Sequence, residues 1–226
     1  MAPESVSYRL RLREGHLYLD AGGRLWLLET GAPVSFGEGG AFALLGESFP
    51  FGRDARGLTP RTLSKFVGVD CAGVLGADVL GRFDWVFDVP GETVTVSRGE
   101  LRHEGSVLPI DEVFGFPVAS VTVRDVAYRM FVDTGAQHSY FQPEARKSFP
   151  AGERATDFYL AVGRFETETH QVDVTLGSHA FTLRCGVLPR HLATALQLSG
   201  THGVIGNAIF RQRRVGYFPR RRMLVL

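Results

Sequence analysis

One unit is written twice in this chain, and that repeat constrains the fold more than any other feature. Offset by 104 residues, Leu27-Leu28-Glu29-Thr30-Gly31-Ala32 falls on Phe131-Val132-Asp133-Thr134-Gly135-Ala136, and Ser35-Phe36 falls on Ser139-Tyr140. Offset by 130, Gly73-Val74-Leu75-Gly76-Ala77-Asp78-Val79-Leu80 falls on Gly203-Val204-Ile205-Gly206-Asn207-Ala208-Ile209-Phe210, and Thr93-Val94-Thr95-Val96 falls on Met223-Leu224-Val225-Leu226. Two copies of one supersecondary unit call for two similar halves rather than one irregular domain. The first runs to about Arg102 and the second begins near Ser106-Val107, past the polar segment Ser97 to Gly105, so the chain divides at 1–105 and 106–226.

Within each copy the residues alternate. Ser7 to Leu12, His16 to Asp20, Arg24 to Leu28, Trp85 to Val89, Thr93 to Val96, Ala119 to Val123, Tyr128 to Val132, Phe158 to Val162, Glu168 to Leu176 and Phe181 to Val187 are rich in Val, Leu, Phe, Tyr and Thr, and Gly-containing breaks separate them. That pattern predicts an all-β protein. Hairpin turns are expected at Arg13-Glu14-Gly15 and Ala21-Gly22-Gly23. Helical turns are expected only at Gln142 to Lys147, at His191 to Leu198 and after Gly76 and Gly206.

Composition narrows the partners. The 226 residues carry 25 basic and 24 acidic side chains, a net charge of +1 with no global field for nucleic acid or an anionic membrane. Apolar residues make up 44% of the chain, enough for a packed core, and no apolar stretch reaches the length of a membrane span. Met1 to Ser5 lacks the basic start and apolar run of a signal peptide, so the expectation is a cytoplasmic protein. Cys71 and Cys185 are too few for a disulfide framework and read as reduced core thiols. The seven histidines show no metal-ligand spacing, so neither a metal nor another cofactor is implied.

Each copy therefore reads as two apolar residues, an acid, Thr-Gly-Ala, a run of strands, then two apolar residues and Gly before a short helix and a last strand. This resembles the aspartic protease superfamily of pepsins and retroviral proteases, and the Ala after Thr-Gly is closer to the retroviral branch. The resemblance covers nearly the whole chain. It implies a two-lobed acid-protease fold with pseudo-twofold symmetry, in which Glu29 and Asp133 face each other as a catalytic pair. It also implies that Thr30 and Thr134 hydrogen-bond across the axis, that Gly31, Ala32, Gly135 and Ala136 complete the two loops, and that Gly76 and Gly206 pack behind them. Two carboxyl groups so close cannot both ionise, so one keeps a proton while the other activates a water.

The sequence departs from the family in two places. Glu29 stands where the family has Asp, and its extra methylene moves the carboxylate by about a bond length, a displacement that can cost about 100-fold in rate. From acid to glycine the first copy spans 47 residues (Glu29 to Gly76) and the second 73 (Asp133 to Gly206). The 26 additional residues read as a strand meander resembling the family's substrate-covering flap, with its turn at Gly163-Arg164 and with Tyr159 and Gly163 as candidate substrate contacts. The expected function is a monomeric aspartic endopeptidase acting on an extended polypeptide. The alternative is an impaired relative that binds a peptide or partner protein in the same cleft. His138 reads as a surface histidine that could line the cleft, Asp78 and Asp84 as surface acids, and the six arginines between Arg211 and Arg222 as solvated charge.

Overall fold

Glycines at positive φ turn the chain back at Gly15 (φ 79°) and at Gly22 and Gly23 (φ 62° and 82°), which makes a meander of Ser5–Arg13, His16–Ala21 and Arg24–Leu28. Similar turns repeat along the chain, and the protein is all-β, with four short α-helices among the described residues. The computed structural model describes residues 3–150, 152–159 and 163–226.

Two large sheets contain most of the strands. In the ten-stranded sheet the order is Val107–Pro109, Met223–Val225, Arg214–Phe218, Asp84–Asp88, Thr93–Ser97, Ser5–Arg13, His16–Ala21, Arg24–Leu28, Gly73–Leu75, Phe36–Gly37. The junction between halves is the antiparallel pair Arg214–Phe218 and Asp84–Asp88, in register Val215↔Phe87 and Tyr217↔Trp85. The eight-stranded sheet is built from the second half alone, from Asp111–Val113 to Glu153–Tyr159. Trp85, Phe83, Phe87 and Phe210 are fully buried, and the edge-to-face pair Phe87–Phe210, 5.2 Å between centroids, carries the core across the junction.

The repeat recurs in the hydrogen bonding. Arg24–Leu28 pairs in parallel with Gly73–Leu75, with Leu27 opposite Val74, and Val126–Val132 pairs in parallel with Gly203–Ile205, with Phe131 opposite Val204. The helices that follow are α2 (Ala77–Leu80) and α4 (Ala208–Arg211). Two other helices lie outside the repeat, α1 (Pro60–Val67) and α3 (Arg190–Leu198). The alternation pattern did not anticipate α1, whose signals are its ends: Thr59 accepts from Thr62 N at 3.2 Å, Pro60 opens the first turn, and Gly68 closes it at φ 72°.

Three expectations need correction. The register Phe158↔Arg164 and Tyr159↔Gly163 puts Gly163 and Arg164 in the strand Gly163–Leu176 rather than in a turn; residues 160–162 and the Tyr159 side chain lie outside the described residues. Asp78 is exposed, as expected of a surface acid, although its Oδ1 also accepts from Ser35 N at 2.9 Å and Ser35 Oγ at 2.7 Å. Asp84 has no exposure at all. The tight turn Pro219–Arg221 brings two guanidinium groups onto it, Arg220 Nη2 at 2.9 Å and Arg221 Nη2 closer still, while Leu101 N donates at 3.0 Å. The reading of these arginines as solvated charge fails because a strand that starts inside the joined sheet buries its first side chain, and a buried carboxylate needs paired donors. The expected outcome for Asp84→Ala, which strands both guanidinium groups at the junction, is a loss of about 3 kcal/mol in the urea unfolding free energy.

Candidate active site

The strands Arg24–Leu28 and Val126–Val132 are buried along their last residues, and each releases an acid into a tight loop. Glu29 N donates to Leu75 O at 3.0 Å and Asp133 N to Ile205 O at 2.8 Å, so each acid is fixed by the strand that ends at Gly76 or Gly206. Those glycines leave room that a side chain would fill, because a Cβ on Gly76 would stand 2.8 Å from Ala32 O and one on Gly206 2.6 Å from Ala136 O. Gly76 N donates to Ser35 Oγ at 2.8 Å and Gly206 N to Ser139 Oγ at 3.1 Å, matching bonds at matching places.

The two loops are locked together by their threonines. Thr30 Oγ1 donates to Val132 O at 2.7 Å and accepts from Thr134 N at 3.0 Å. Reciprocally, Thr134 Oγ1 donates to Leu28 O at 2.7 Å and accepts from Thr30 N at 3.0 Å. Both side chains are 1% exposed, so all four bonds form away from water and satisfy backbone groups that would otherwise be orphaned.

Above this lock the carboxyl groups of Glu29 and Asp133 come together, Glu29 Oε1 and Asp133 Oδ2 standing 2.9 and 2.3 Å from the place a Cβ on Gly31 would take. They are 5% and 2% exposed. Each lies over the glycine of the opposite loop, Glu29 over Gly135 and Asp133 over Gly31, where any Cβ would collide with the carboxylate. Burial first, and then the charge and hydrogen bond of Asp133, push the Glu29 carboxyl well above the usual carboxylate range, against a smaller opposing effect of the Gly31 N–H. Asp133 Oδ1 collects Gly135 N at 2.9 Å and Ala136 N at 3.3 Å. The Glu29 carboxyl therefore holds its proton to a higher pH than an isolated carboxyl would.

A cavity opens against the pair, with about 20 Å³ available to the centre of a water molecule, room for one. Besides the two acids and their glycines it is walled by His16, Ala136, Leu27, Val67 and Phe158. A second, apolar pocket of about 190 Å³ lies beside Asp133 and Gly31, between Phe116 and Phe131 on one side and Ala195 and Leu196 of α3 on the other.

The hairpin of Glu153–Tyr159 and Gly163–Leu176 reaches across to the first half. Phe158 stacks on Phe66 of α1 at 4.4 Å and 17°, Arg164 lies over the same ring at 6.0 Å, and its Nη2 donates to Lys65 O at 3.4 Å. Asp157 anchors the hairpin's other face, accepting from Tyr140 Oη and, at 3.1 Å, from Gln137 Nε2. Gly163 lies at the described end of this hairpin, away from both acids, and its Cβ position meets only open space. His138 is half-buried and does not wall the cavity; burial holds its imidazole below the ordinary histidine range.

The wall residues the sequence did not single out are His16, Val67 and Phe158. His16 is 117 residues from Asp133 in the chain, and no spacing links them. No group of three or more His, Cys, Asp or Glu side chains among the described residues is placed to hold a metal ion. No helix of the described residues is long and apolar enough to cross a membrane.

Thr134→Val keeps the size and loses both side-chain hydrogen bonds, so it is expected to lower the unfolding free energy by about 2–3 kcal/mol, with Thr134→Ser recovering most of it, as read from urea midpoints. Phe66→Ala removes the ring on which the hairpin rests, and hydrogen exchange at 153–159 and 163–169 is expected to speed up while exchange at 126–132 stays the same. Compared with known protein families and with curated proteins, the chain matches none.

Proposed function

We propose that the chain is an aspartic endopeptidase of two-lobed acid-protease architecture, hydrolysing a polypeptide laid between its halves. The observation that carries this reading is the buried Glu29–Asp133 pair, held over reciprocal threonine bonds and facing a cavity of one-water size. In this reading Asp133 takes a proton from the water as it attacks the scissile carbonyl, and Glu29 gives its proton to the developing oxyanion. As the C–N bond breaks, Asp133 gives the proton it took to the leaving amine and Glu29 regains a proton from a hydroxyl of the tetrahedral intermediate, so no covalent intermediate forms. The extra methylene of Glu29 lets its carboxyl reach over Gly135 to Asp133. The apolar pocket beside Asp133 suits an aromatic or branched side chain next to the scissile bond. The hairpin lying on α1 would lift to admit substrate and close to exclude water.

A second reading, peptide binding without cleavage, is favoured by one observation: the hairpin contacts α1 through a stacked aromatic pair and leaves a cavity of only about 20 Å³ at the acids. A peptide-library digest between pH 3 and 8 separates the two. Cleavage by the wild type, lowered about 100-fold or more by both Asp133→Asn and Glu29→Gln and retained in Glu29→Asp, is the outcome expected of the enzyme. Peptide capture with no cleavage by either the wild type or Glu29→Asp would sink it. The sign of the pH dependence follows from Glu29. Its proton is held above the ordinary carboxylate range, so activity should persist above pH 4.5 and disappear as pH rises through the elevated Glu29 value.

A further inference from the structure

The cavity at the acid pair has a third polar wall. His16 opens the strand His16–Ala21 just after the turn at Gly15, and it is 6% exposed. Its Nδ1 lies 2.7 Å from Gly135 O. A carbonyl oxygen can only accept, so Nδ1 carries the hydrogen, and in the neutral ring Nε2 is left as a bare acceptor. The one hydrogen bond the His16 ring makes among the described residues is that at Nδ1, and the ring walls the same one-water cavity as Glu29 and Asp133.

The ring is held there by a dedicated brace from the second half. Asn207 Nδ2 donates to Gly15 O at 2.9 Å and to Thr134 O at 3.1 Å, and Arg211 Nη2 donates to Gly15 O at 2.6 Å. Arg211 Nε donates to Asn207 Oδ1 at 2.8 Å, which fixes the amide's orientation. Nothing equivalent exists in the first copy, where Ala77 occupies the place of Asn207. The turn that carries His16 is thus tied directly to the Asp133 loop.

We propose that His16 is the third partner of the water held against Glu29 and Asp133, accepting through Nε2 the water hydrogen that Asp133 does not take. A water in so small a cavity needs two to four polar partners to be ordered. With the water in place, Glu29 turns the proton it otherwise shares with Asp133 onto the water oxygen, Asp133 accepts one hydrogen, and His16 accepts the other, which aims a lone pair of the water away from all three. This assignment rests on the water-activating reading of the acid pair. It adds an acidic limit: an imidazolium cannot accept, so the water loses its orientation as pH falls through the His16 value. Burial holds that value below the ordinary histidine range, with Arg211 acting in the same direction, while the Gly135 carbonyl, Asp157 and Asp133 oppose it; the charge of this ring in turn acts weakly on His138.

The test uses the full chain in two arms. In nitrogen NMR of histidine-labelled protein, with His16→Gln identifying the signal, Nδ1 should carry the hydrogen at neutral pH and Nε2 should not. Asp133→Asn removes a nearby negative charge and should lower the pH at which His16 titrates. A ring protonated on Nε2, or a titration unmoved by Asp133→Asn, overturns the proposal whether or not the protein cleaves peptides. In kinetics, His16→Leu should lower kcat at least about tenfold with KM unchanged. His16→Gln, which can donate to Gly135 O and still accept, should recover part of that loss and remove the acidic limb of the kcat profile. Wild-type kcat in His16→Leu would overturn the proposal while leaving the endopeptidase reading intact. A wild type that cleaves nothing would defeat the endopeptidase reading, and the NMR arm would then decide the His16 assignment alone.

Discussion

Four hydrogen bonds between Thr30 and Thr134 and the two opposing loops hold the rest of the site in place. Two acidic loops at the ends of buried strands would otherwise repel each other and leave their backbone groups unsatisfied. The reciprocal bonds give each loop's amide and carbonyl a partner from the other half, at 2.7 and 3.0 Å. Everything above depends on that spacing: Glu29 lies over Gly135, Asp133 lies over Gly31, and the carboxyl groups meet. The glycines are required by close approach, since any side chain there would occupy the volume of a carboxylate.

The symmetry of the lock makes the asymmetry above it chemically useful. Two identical acids in identical loops would share a proton without preference. Here Glu29 has one more methylene and one amide donor, the Gly31 N–H, whereas Asp133 Oδ1 collects two amides of its own loop. In the proposed hydrolysis, the roles of proton donor and acceptor would then be assigned by environment rather than exchanged at random. The hairpin is equally one-sided, arising from the second half and resting on a helix of the first.

Most of this local architecture was legible in the sequence because it is encoded in short motifs written twice. The acid loops, the glycines behind them, the strand pairs and the all-β class all follow from contiguous residues whose spacing is fixed by one strand and one turn. What the sequence hid is long-range. His16 reaches Gly135 across 119 positions, and Arg220 and Arg221 reach Asp84 across 136 and 137, contacts no periodicity can announce. Asp84 read as a surface acid because an isolated carboxylate between Phe83 and Trp85 gives no sign of its partners. Helix α1 was hidden for a different reason: eight residues give barely two turns of amphipathic pattern, and only the Thr-Pro entry and the Gly exit mark it.

The order of strands in the ten-stranded sheet has a consequence for how the molecule comes into being. Asp84–Asp88 is covered on one side by its neighbour Thr93–Ser97, but its other edge waits for Arg214–Phe218, some 130 residues later in synthesis. The Asp133 loop likewise receives its supporting strand, Gly203–Ile205, from far along the chain. Such distant pairings close slowly. The acid pair therefore forms late in folding, once strands far apart in the chain have met, and a partly made copy carries Glu29 without its partner.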